Sequence, residues 1–210
     1  MKLLLLGATG LVGRKTLELA LSSDIISNVI APTRKPLPTS EKLVNLVGAD
    51  IQALVPALMS HKPDAVICAL GTTRKAAGSK EAFRHVDYDL PLALGRAAYA
   101  AGVQTYAIVT AKGASSGSRS FYYRTKGEVE KAVREIGFRS LTICRPSLID
   151  GSRNEVRGAE HAALMLLRFL APVLPEQFRV NPAEAIAAAL LDAVVVANTG
   201  CRLINSQEMN

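Results

Sequence analysis

The chain has 210 residues, of which 49% are hydrophobic and 20% charged, and its formal net charge at pH 7 is +7. This length supports one domain with a full core, and the composition is that of a soluble globular protein. No apolar run approaches the ~18 residues of a transmembrane helix, so no membrane partner is expected. The basic residues are spread along the chain without a block of five or six, which disfavours a nucleic-acid partner.

The amino-terminal residues 1–6 read MKLLLL, a faint likeness to a secretory signal peptide. The apolar run ends at Gly7, short of the roughly 7–15 residues of a signal-peptide core, so we predict a first strand and a cytoplasmic protein. The three cysteines form no CxxC motif and no histidine-spaced pair, and no metal site is predicted.

Short apolar runs alternate with helical periodicity in the first half of the chain. In chain order, the pattern predicts a strand over 2–6, a helix over 11–23, strands over 28–32 and 43–47, a helix over 51–59 and a strand over 64–70. Pro56 should bend or interrupt its helix, because proline lacks the N–H that donates within a helix. The continuous run DAVICAL over 64–70 is typical of a strand buried on both faces.

The second half of the chain continues the alternation. It predicts a helix over 86–102, a strand over 104–110, a helix over 121–137, a strand over 140–145, helices over 158–172 and 181–195, and a last strand over 201–205. Strands separated by helices form parallel β-α-β units, so we predict the α/β class with a doubly wound parallel sheet. Residues 1–210 are predicted to form one domain, with a small lid on the substrate side over 146–180.

A glycine-rich loop, GATGLVGR, joins the first predicted strand to the first predicted helix. In this GxxGxxG spacing the first glycine suits a tight turn, the second a close approach to a diphosphate and the third close helix–strand packing. The N–H groups and partial positive charge of the helix N-terminus attract phosphates. The flanking strand and helix are the context that the motif requires, so we predict a dinucleotide site. The predicted contacts are Gly7, Thr9, Gly10, Leu11, Val12, Gly13 and Arg14.

The residues after the second strand indicate which dinucleotide binds. NAD sites usually place an acid there to bond the ribose hydroxyls, whereas residues 32–35 read PTRK. The guanidinium of Arg34 suits a 2′-phosphate through charge-assisted bonds, and Arg14 can reach the same phosphate. We therefore predict that NADP(H) is preferred over NAD(H).

Further cofactor contacts are predicted where the third and fourth strands end. Asp50 is either an adenine contact or a plain helix N-cap, and the sequence leaves both open. Leu70, Gly71 and Thr72 follow the fourth strand, beside the expected cofactor.

Two adjacent tyrosines open the helix predicted over 121–137. Residues four apart share a helix face, so Tyr122 pairs with Lys126, whereas Tyr123 pairs with Gly127, which has no side chain. A nearby ammonium lowers the pKa of a phenol from about 10, and such a phenol can give a proton to a carbonyl oxygen during hydride transfer. Tyr122 and Lys126 are therefore predicted to be catalytic, and Lys126 also to hold the nicotinamide ribose.

Together these motifs resemble the short-chain dehydrogenase/reductase superfamily, including RPSLIDG over 145–151 after strand six. The segments GTTR, VDYDLPLALGRAAYAAG, KGA and YRTKGEVE are most similar to small atypical members that include the Tat-interacting oxidoreductases. The resemblance covers residues 2–151 with a continuation toward the end. It implies a Rossmann-type domain, catalytic Tyr122 and Lys126, and a backbone over Pro146–Leu148 beside the nicotinamide, which adds Pro146 and Leu148 to the cofactor contacts.

The chain departs from that superfamily at the end of strand five, where relatives usually carry a serine that polarises the substrate carbonyl. Ala111 aligns with this serine; Thr110 is predicted to substitute, with Ser115 and Ser116 as alternatives. Asp87 stands where many relatives carry asparagine. The preferred function is an NADP(H)-dependent oxidoreductase acting on a small carbonyl or alcohol. The alternative is a non-catalytic NADPH-binding regulator, and a protein partner or homodimer stays open.

Overall fold

The computed structural model describes residues 1–150 and 180–209. The strands within these residues are β1 Lys2–Leu6, β2 Asn28–Thr33, β3 Leu43–Val47, β4 Ala65–Cys68, β5 Thr105–Val109, β6 Ser140–Arg145, β7 Ile149–Asp150, β8 Asn181–Pro182 and β9 Gly200–Asn205. Seven of these strands form one parallel sheet in the order β3-β2-β1-β4-β5-β6-β9, and β7 and β8 form a separate short parallel pair. The strand order reverses direction between β1 and β4, which confirms the predicted doubly wound sheet.

Helices cover both faces of the sheet. They are α1 Leu11–Ser22, α2 Val55–Ser60, α3 Arg74–Ala77, α4 Lys80–Arg84, α5 Leu90–Ala100, α6 Phe121–Arg134 and α7 Ala183–Val196. Successive side chains of a strand point to opposite faces, so Leu3 and Leu5 pack in the layer beneath α1 and α7, while Leu4 and Leu6 pack beneath α5 and α6. The uninterrupted leucine run is thus explained by burial on both sides.

Two predicted helices have a more complex structure than the periodicity indicated. The helix predicted over 51–59 is a 3₁₀ turn, Gln52–Leu54, followed by α2 with Pro56 in its first turn, so the predicted interruption is present. The helix predicted over 86–102 is preceded by α3 and α4 and passes through a π-helical turn, His85–Asp89, before α5. The helix predicted over 158–172 and most of the predicted lid over 146–180 lie outside the described residues. In the described ranges, no helix combines the length and apolarity needed to cross a bilayer.

The loop between β5 and α6 lies directly on α6 at Gly127. A Cβ atom at Gly127 would be 2.2 Å from both Ser115 C and Ser116 N, and the N–H of Ser115 donates to the carbonyl oxygen of Tyr123 over 3.0 Å. The missing side chain therefore allows backbone to pack on backbone, which fixes the loop that precedes Tyr122.

We predict that Gly127→Ala destabilises the fold by about 1–3 kcal/mol, because the added methyl group displaces backbone atoms. The gain in helix propensity, about 1 kcal/mol, works in the opposite direction and is smaller than the cost of a 2.2 Å overlap. The free energy of unfolding is measured by denaturant titration. Gly117→Ala is the matched control, since its Cβ would come no closer than 4.0 Å to Ser115 Oγ. Equal stability of the two variants would show that the loop does not pack on α6 as described.

Candidate functional site

The glycine loop is held between α1 and the end of β4 by close backbone contacts. Gly7 has a φ of +85°, and a Cβ there would lie 2.6 Å from the carbonyl oxygen of Ala69. A Cβ at Gly13 would lie 2.0 Å from the carbonyl oxygen of Gly7. A side chain at Gly13 would push α1 away from the glycine loop, and one at Gly7 would push that loop away from the end of β4, so both glycines are required by packing before any ligand is considered.

The N-terminus of α1 is open to an anionic ligand. Gly10 is its N-cap, and in the described part of the chain no side chain caps this end of the helix. A Cβ at Gly10 would meet the carbonyl oxygens of Gly7 at 3.2 Å and Ala69 at 3.9 Å. Thr9 and Arg14 are exposed, Leu11 is half-buried and Val12 is buried. First-turn N–H groups without a capping side chain are the donors that a diphosphate uses, so the loop fits the predicted cofactor.

The basic residues near this loop differ in their charge compensation. Lys15 Nζ lies 3.2 Å from carboxylate oxygens of both Glu18 and Glu184. Arg14 and Arg34 are exposed, and neither takes part in an ion pair with another described residue. Arg34 follows β2 directly, at the carboxyl edge of the sheet. The two guanidinium groups therefore keep their charge available for an anion.

Asp50 precedes Ile51, the N-cap residue of the 3₁₀ turn, and makes a local contact with the start of that turn. Its side chain is exposed, and Oδ1 accepts a hydrogen bond from the N–H of Gln52 at 2.8 Å, at the start of the 3₁₀ turn. Contact of Asp50 with adenine stays a prediction.

The segment 69–72 connects the glycine loop to α6. At one end, its residues Ala69 and Leu70 contact Gly7. At the other end, a Cβ at Gly71 would lie 3.6 Å from Asp87 Oδ1 and 3.7 Å from Lys126 Nζ. Residues 69–72 therefore connect the glycine loop with Lys126 along the carboxyl ends of β1 and β4, the edge where doubly wound sheets bind ligands. We refer to this edge, from Gly7 to Lys126, as the groove.

Lys126 lies at the far end of this groove as half of a buried ion pair. Its Nζ is 2.7 Å from Asp87 Oδ1, and the two side chains are 7% and 0% exposed. Burial lowers the pKa of Lys126, but the Asp87 carboxylate and the nearby Tyr122 phenol raise it by more, so the net shift is upward. Lys126 is accordingly an ammonium ion at neutral pH.

The two adjacent tyrosines have different surroundings. The half-buried Tyr122 has its ring centroid 5.8 Å from that of the buried Phe83 of α4. Tyr123 is 41% exposed, and its ring lies beside Gly113 of the preceding loop. Tyr122 lies one turn before Lys126 on α6, and its phenol acts on the ammonium group of that lysine.

Thr110 belongs to a different polar cluster, one helical turn further along α6. Its hydroxyl donates to Glu130 Oε1 at 2.7 Å, and the guanidinium of Arg145 contacts both oxygens of the same carboxylate at 2.9 and 2.5 Å. Glu130 is 1% exposed and joins α6 to the ends of β5 and β6. Because the Thr110 hydroxyl is bonded to Glu130, these contacts do not favour its predicted role at a substrate carbonyl, and that role stays a prediction.

The other two candidates for the serine role lie in the loop before α6. Ser115 and Ser116 are exposed and pack their backbone against Gly127, on the face of α6 that carries Tyr123. The described residues thus bring Tyr122 and Gly71 to Lys126.

The backbone after β6 is held from two sides. The carbonyl oxygen of Pro146 accepts the N–H of Lys112 at 2.8 Å, and that of Leu148 accepts the N–H of Asn181 at 2.8 Å. Asn181 is fully buried, and its Oδ1 accepts the N–H of Ser147 at 2.8 Å. These hydrogen bonds hold the backbone over Pro146–Leu148 at the carboxyl end of β6. Its contact with a nicotinamide stays a prediction.

Asp87 is the site residue that sequence reasoning did not identify. The sequence carried one signal, an aspartate where similar proteins have asparagine, and that departure alone does not indicate what Asp87 does. Its partner Lys126 is on a different helix, so no local spacing relates the two.

Comparison with known proteins identifies what this chain is similar to. A family model described as NAD(P)H-binding matches residues 7–163. Protein fmp52, mitochondrial, of Emericella nidulans is 37% identical over 177 residues, which span 81% of this chain and 74% of that protein. The protein of the same name from Meyerozyma guilliermondii is 31% identical over 199 residues, spanning 92% and 86%.

Solved structures agree on the fold. MoeE5 in complex with UDP-glucose and NAD has a TM-score of 0.73 at 19% identity, over 98% of this chain and 75% of that one. The oxidoreductase ylbE from Lactococcus lactis has a TM-score of 0.68 at 18% identity, over 98% and 90%. These likenesses confirm the Rossmann-type fold, and with the family match they confirm the resemblance to short-chain dehydrogenases/reductases.

The prediction of a cytoplasmic location is wrong. The curated relatives are named as mitochondrial proteins. The prediction depended on the short apolar run over 1–6, which argues against a secretory signal peptide and carries no information about mitochondria.

Proposed function

The chain belongs to the NAD(P)H-binding family, and we propose that it is an NADP(H)-dependent oxidoreductase of the short-chain dehydrogenase/reductase type, acting on a carbonyl or alcohol. The observation that carries the proposal is the continuous groove from the open N-terminus of α1, past Gly71, to the Tyr122–Lys126 face of α6. The names of the curated relatives favour a mitochondrial location.

In the proposed mechanism, each end of the groove has one task. The first-turn N–H groups of α1 bind the diphosphate, and Arg14 and Arg34 bind the 2′-phosphate. Lys126 donates to the nicotinamide ribose, and the bound nicotinamide supplies the hydride chemistry. Tyr122 gives its phenolic proton to the carbonyl oxygen as the alcohol forms, and takes a proton back in the reverse direction.

One observation favours the second candidate, a non-catalytic NADPH-binding regulator. Ala111 is buried and has no hydroxyl, and the neighbouring Thr110 hydroxyl is bonded to Glu130. Without a second donor, the carbonyl oxygen would be polarised by Tyr122 alone. Turnover decides between the two candidates, since both bind the nucleotide.

We predict that the unmutated protein binds NADPH at least ~10-fold more tightly than NADH, the scale of one or two charge-assisted bonds. Arg34→Ala should remove most of this difference by weakening NADPH alone. Dissociation constants are measured by nucleotide fluorescence titration. Arg139→Ala is the control: Arg139 is also exposed but precedes β6, at the opposite edge of the sheet. Equal affinities for the two nucleotides in the unmutated protein would exclude the NADP preference.

We also predict that Tyr122→Phe lowers turnover by ~100-fold or more, the usual contribution of a positioned acid, while NADPH affinity hardly changes. The measurement is NADPH oxidation with a panel of aldehydes and ketones. Tyr123→Phe removes the same atom from the adjacent, exposed ring and should leave turnover nearly intact.

If both tyrosine variants lost activity equally, Tyr122 would not be the proton donor. If the unmutated protein bound NADPH but turned over no compound of the panel, the regulator would become the better assignment.

A further inference from the structure

We propose that Asp87 is a positioning residue of this site, which holds the ammonium group of Lys126 and cancels its charge beside the nicotinamide. The consequence is that the positively charged oxidised cofactor is not repelled, so the site accepts both redox forms. The inference rests on the proposed function in one respect: it takes Lys126 to contact the nicotinamide half of the cofactor.

The contacts of Asp87 join three segments of the chain. Oδ1 lies 2.7 Å from Lys126 Nζ on α6, and Oδ2 accepts the N–H of Thr72 at 2.9 Å, in the segment that follows β4. Asp87 itself lies in the π-helical turn before α5 and is 1% exposed. A carboxylate this deeply buried is stable as an anion only beside a cation, so its position and that of Lys126 depend on each other.

Asp87 lies in a π-helical turn that also carries a second aspartate, Asp89. The N–H of Leu90 donates to the carbonyl oxygen of His85, five residues back, which is the π-helical pattern. Pro91 follows and has no N–H to continue an α-helical ladder. Asp89, two residues after Asp87 in the same turn, is half exposed and lies 3.9 Å from His85 Nδ1. The turn thus carries one buried and one exposed aspartate.

Asp87 is the carboxylate that compensates the positive charge of Lys126. Among the residues that the structure describes, the phenol of Tyr122 and the thiol of Cys68 act on the ammonium besides Asp87. Burial raises the pKa of the Cys68 thiol, which keeps it neutral. The neighbouring carboxylates on α6 are paired with arginines, Glu128 with Arg84 and Glu130 with Arg145.

An unbalanced ammonium in such a groove would act on the cofactor with little screening. It would repel the oxidised nicotinamide, which is cationic, and leave the neutral reduced ring unaffected. The ratio of the dissociation constants for NADP⁺ and NADPH therefore reports the charge of the pair. A purely structural role of Asp87 would change both constants together and leave their ratio constant.

The test measures this ratio at pH 6.5, which favours the ammonium form, by calorimetric titration of four variants. Asp87→Asn keeps the size of the side chain and should raise the ratio about fivefold or more. Lys126→Met leaves Asp87 without its cation, so this variant and the unmutated protein are also compared at pH 8.5, where a carboxylate is favoured, and there the variant should have the lower ratio. The double variant Asp87→Asn/Lys126→Met should return the ratio to the unmutated value. Asp89→Asn removes the same charge from the exposed position of the same turn and should leave the ratio unchanged.

An unchanged ratio in folded Asp87→Asn protein would overturn the inference, even if both affinities fell. If Asp87→Asn did not fold, Lys126→Met would decide, and a ratio that did not fall would overturn the inference. An unmutated protein that bound neither nucleotide would defeat the proposed function, and the inference with it. Binding of both nucleotides without the predicted shifts defeats the inference alone.

Discussion

The contact of backbone with backbone at the end of β1 is the constraint on which the groove depends. Gly13 brings α1 against the carbonyl of Gly7, and Gly7 in turn lies against Ala69 at the end of β4. A side chain at Gly13 would push α1 away from the glycine loop, and one at Gly7 would push the loop away from the end of β4. The same close packing therefore holds the fold together and leaves the N–H groups of α1 open.

The two ends of the groove differ in whether their positive charges are paired with a carboxylate. Near the adenosine end, Arg14 and Arg34 are exposed and have no carboxylate partner among the described residues, which leaves a net positive charge for an anion. At the far end, Lys126 is buried and paired with Asp87. Burying one of these charges alone would cost several kcal/mol, so the pair is maintained as a unit. The exposed charges suit tight binding of phosphate, and the balanced pair suits a ring whose charge changes during the reaction.

The sequence was sufficient for the sheet and most helices, because the periodicity of buried side chains is a local property. The run over 43–47 is β3 to the residue, and the parallel, doubly wound character of the sheet was predicted from the alternation of strands and helices. The π-helical turn escaped prediction, since its signal is one proline within an otherwise helical pattern. The Asp87–Lys126 pair escaped as well, because it joins two helices that only the folded sheet brings together. The hydroxyl of Thr110 is likewise oriented by Glu130, a partner that strand-end position alone does not reveal.

The most direct measurement is a crystal structure of the chain with bound NADPH. The diphosphate should accept hydrogen bonds from the first-turn N–H groups of α1, and a ribose oxygen on the nicotinamide side should lie within hydrogen-bond distance, about 3 Å, of Lys126 Nζ while the ammonium keeps its contact with Asp87. A nicotinamide half directed away from α6, or a diphosphate bound elsewhere than at α1, would contradict a single groove that extends from the glycine loop to Lys126.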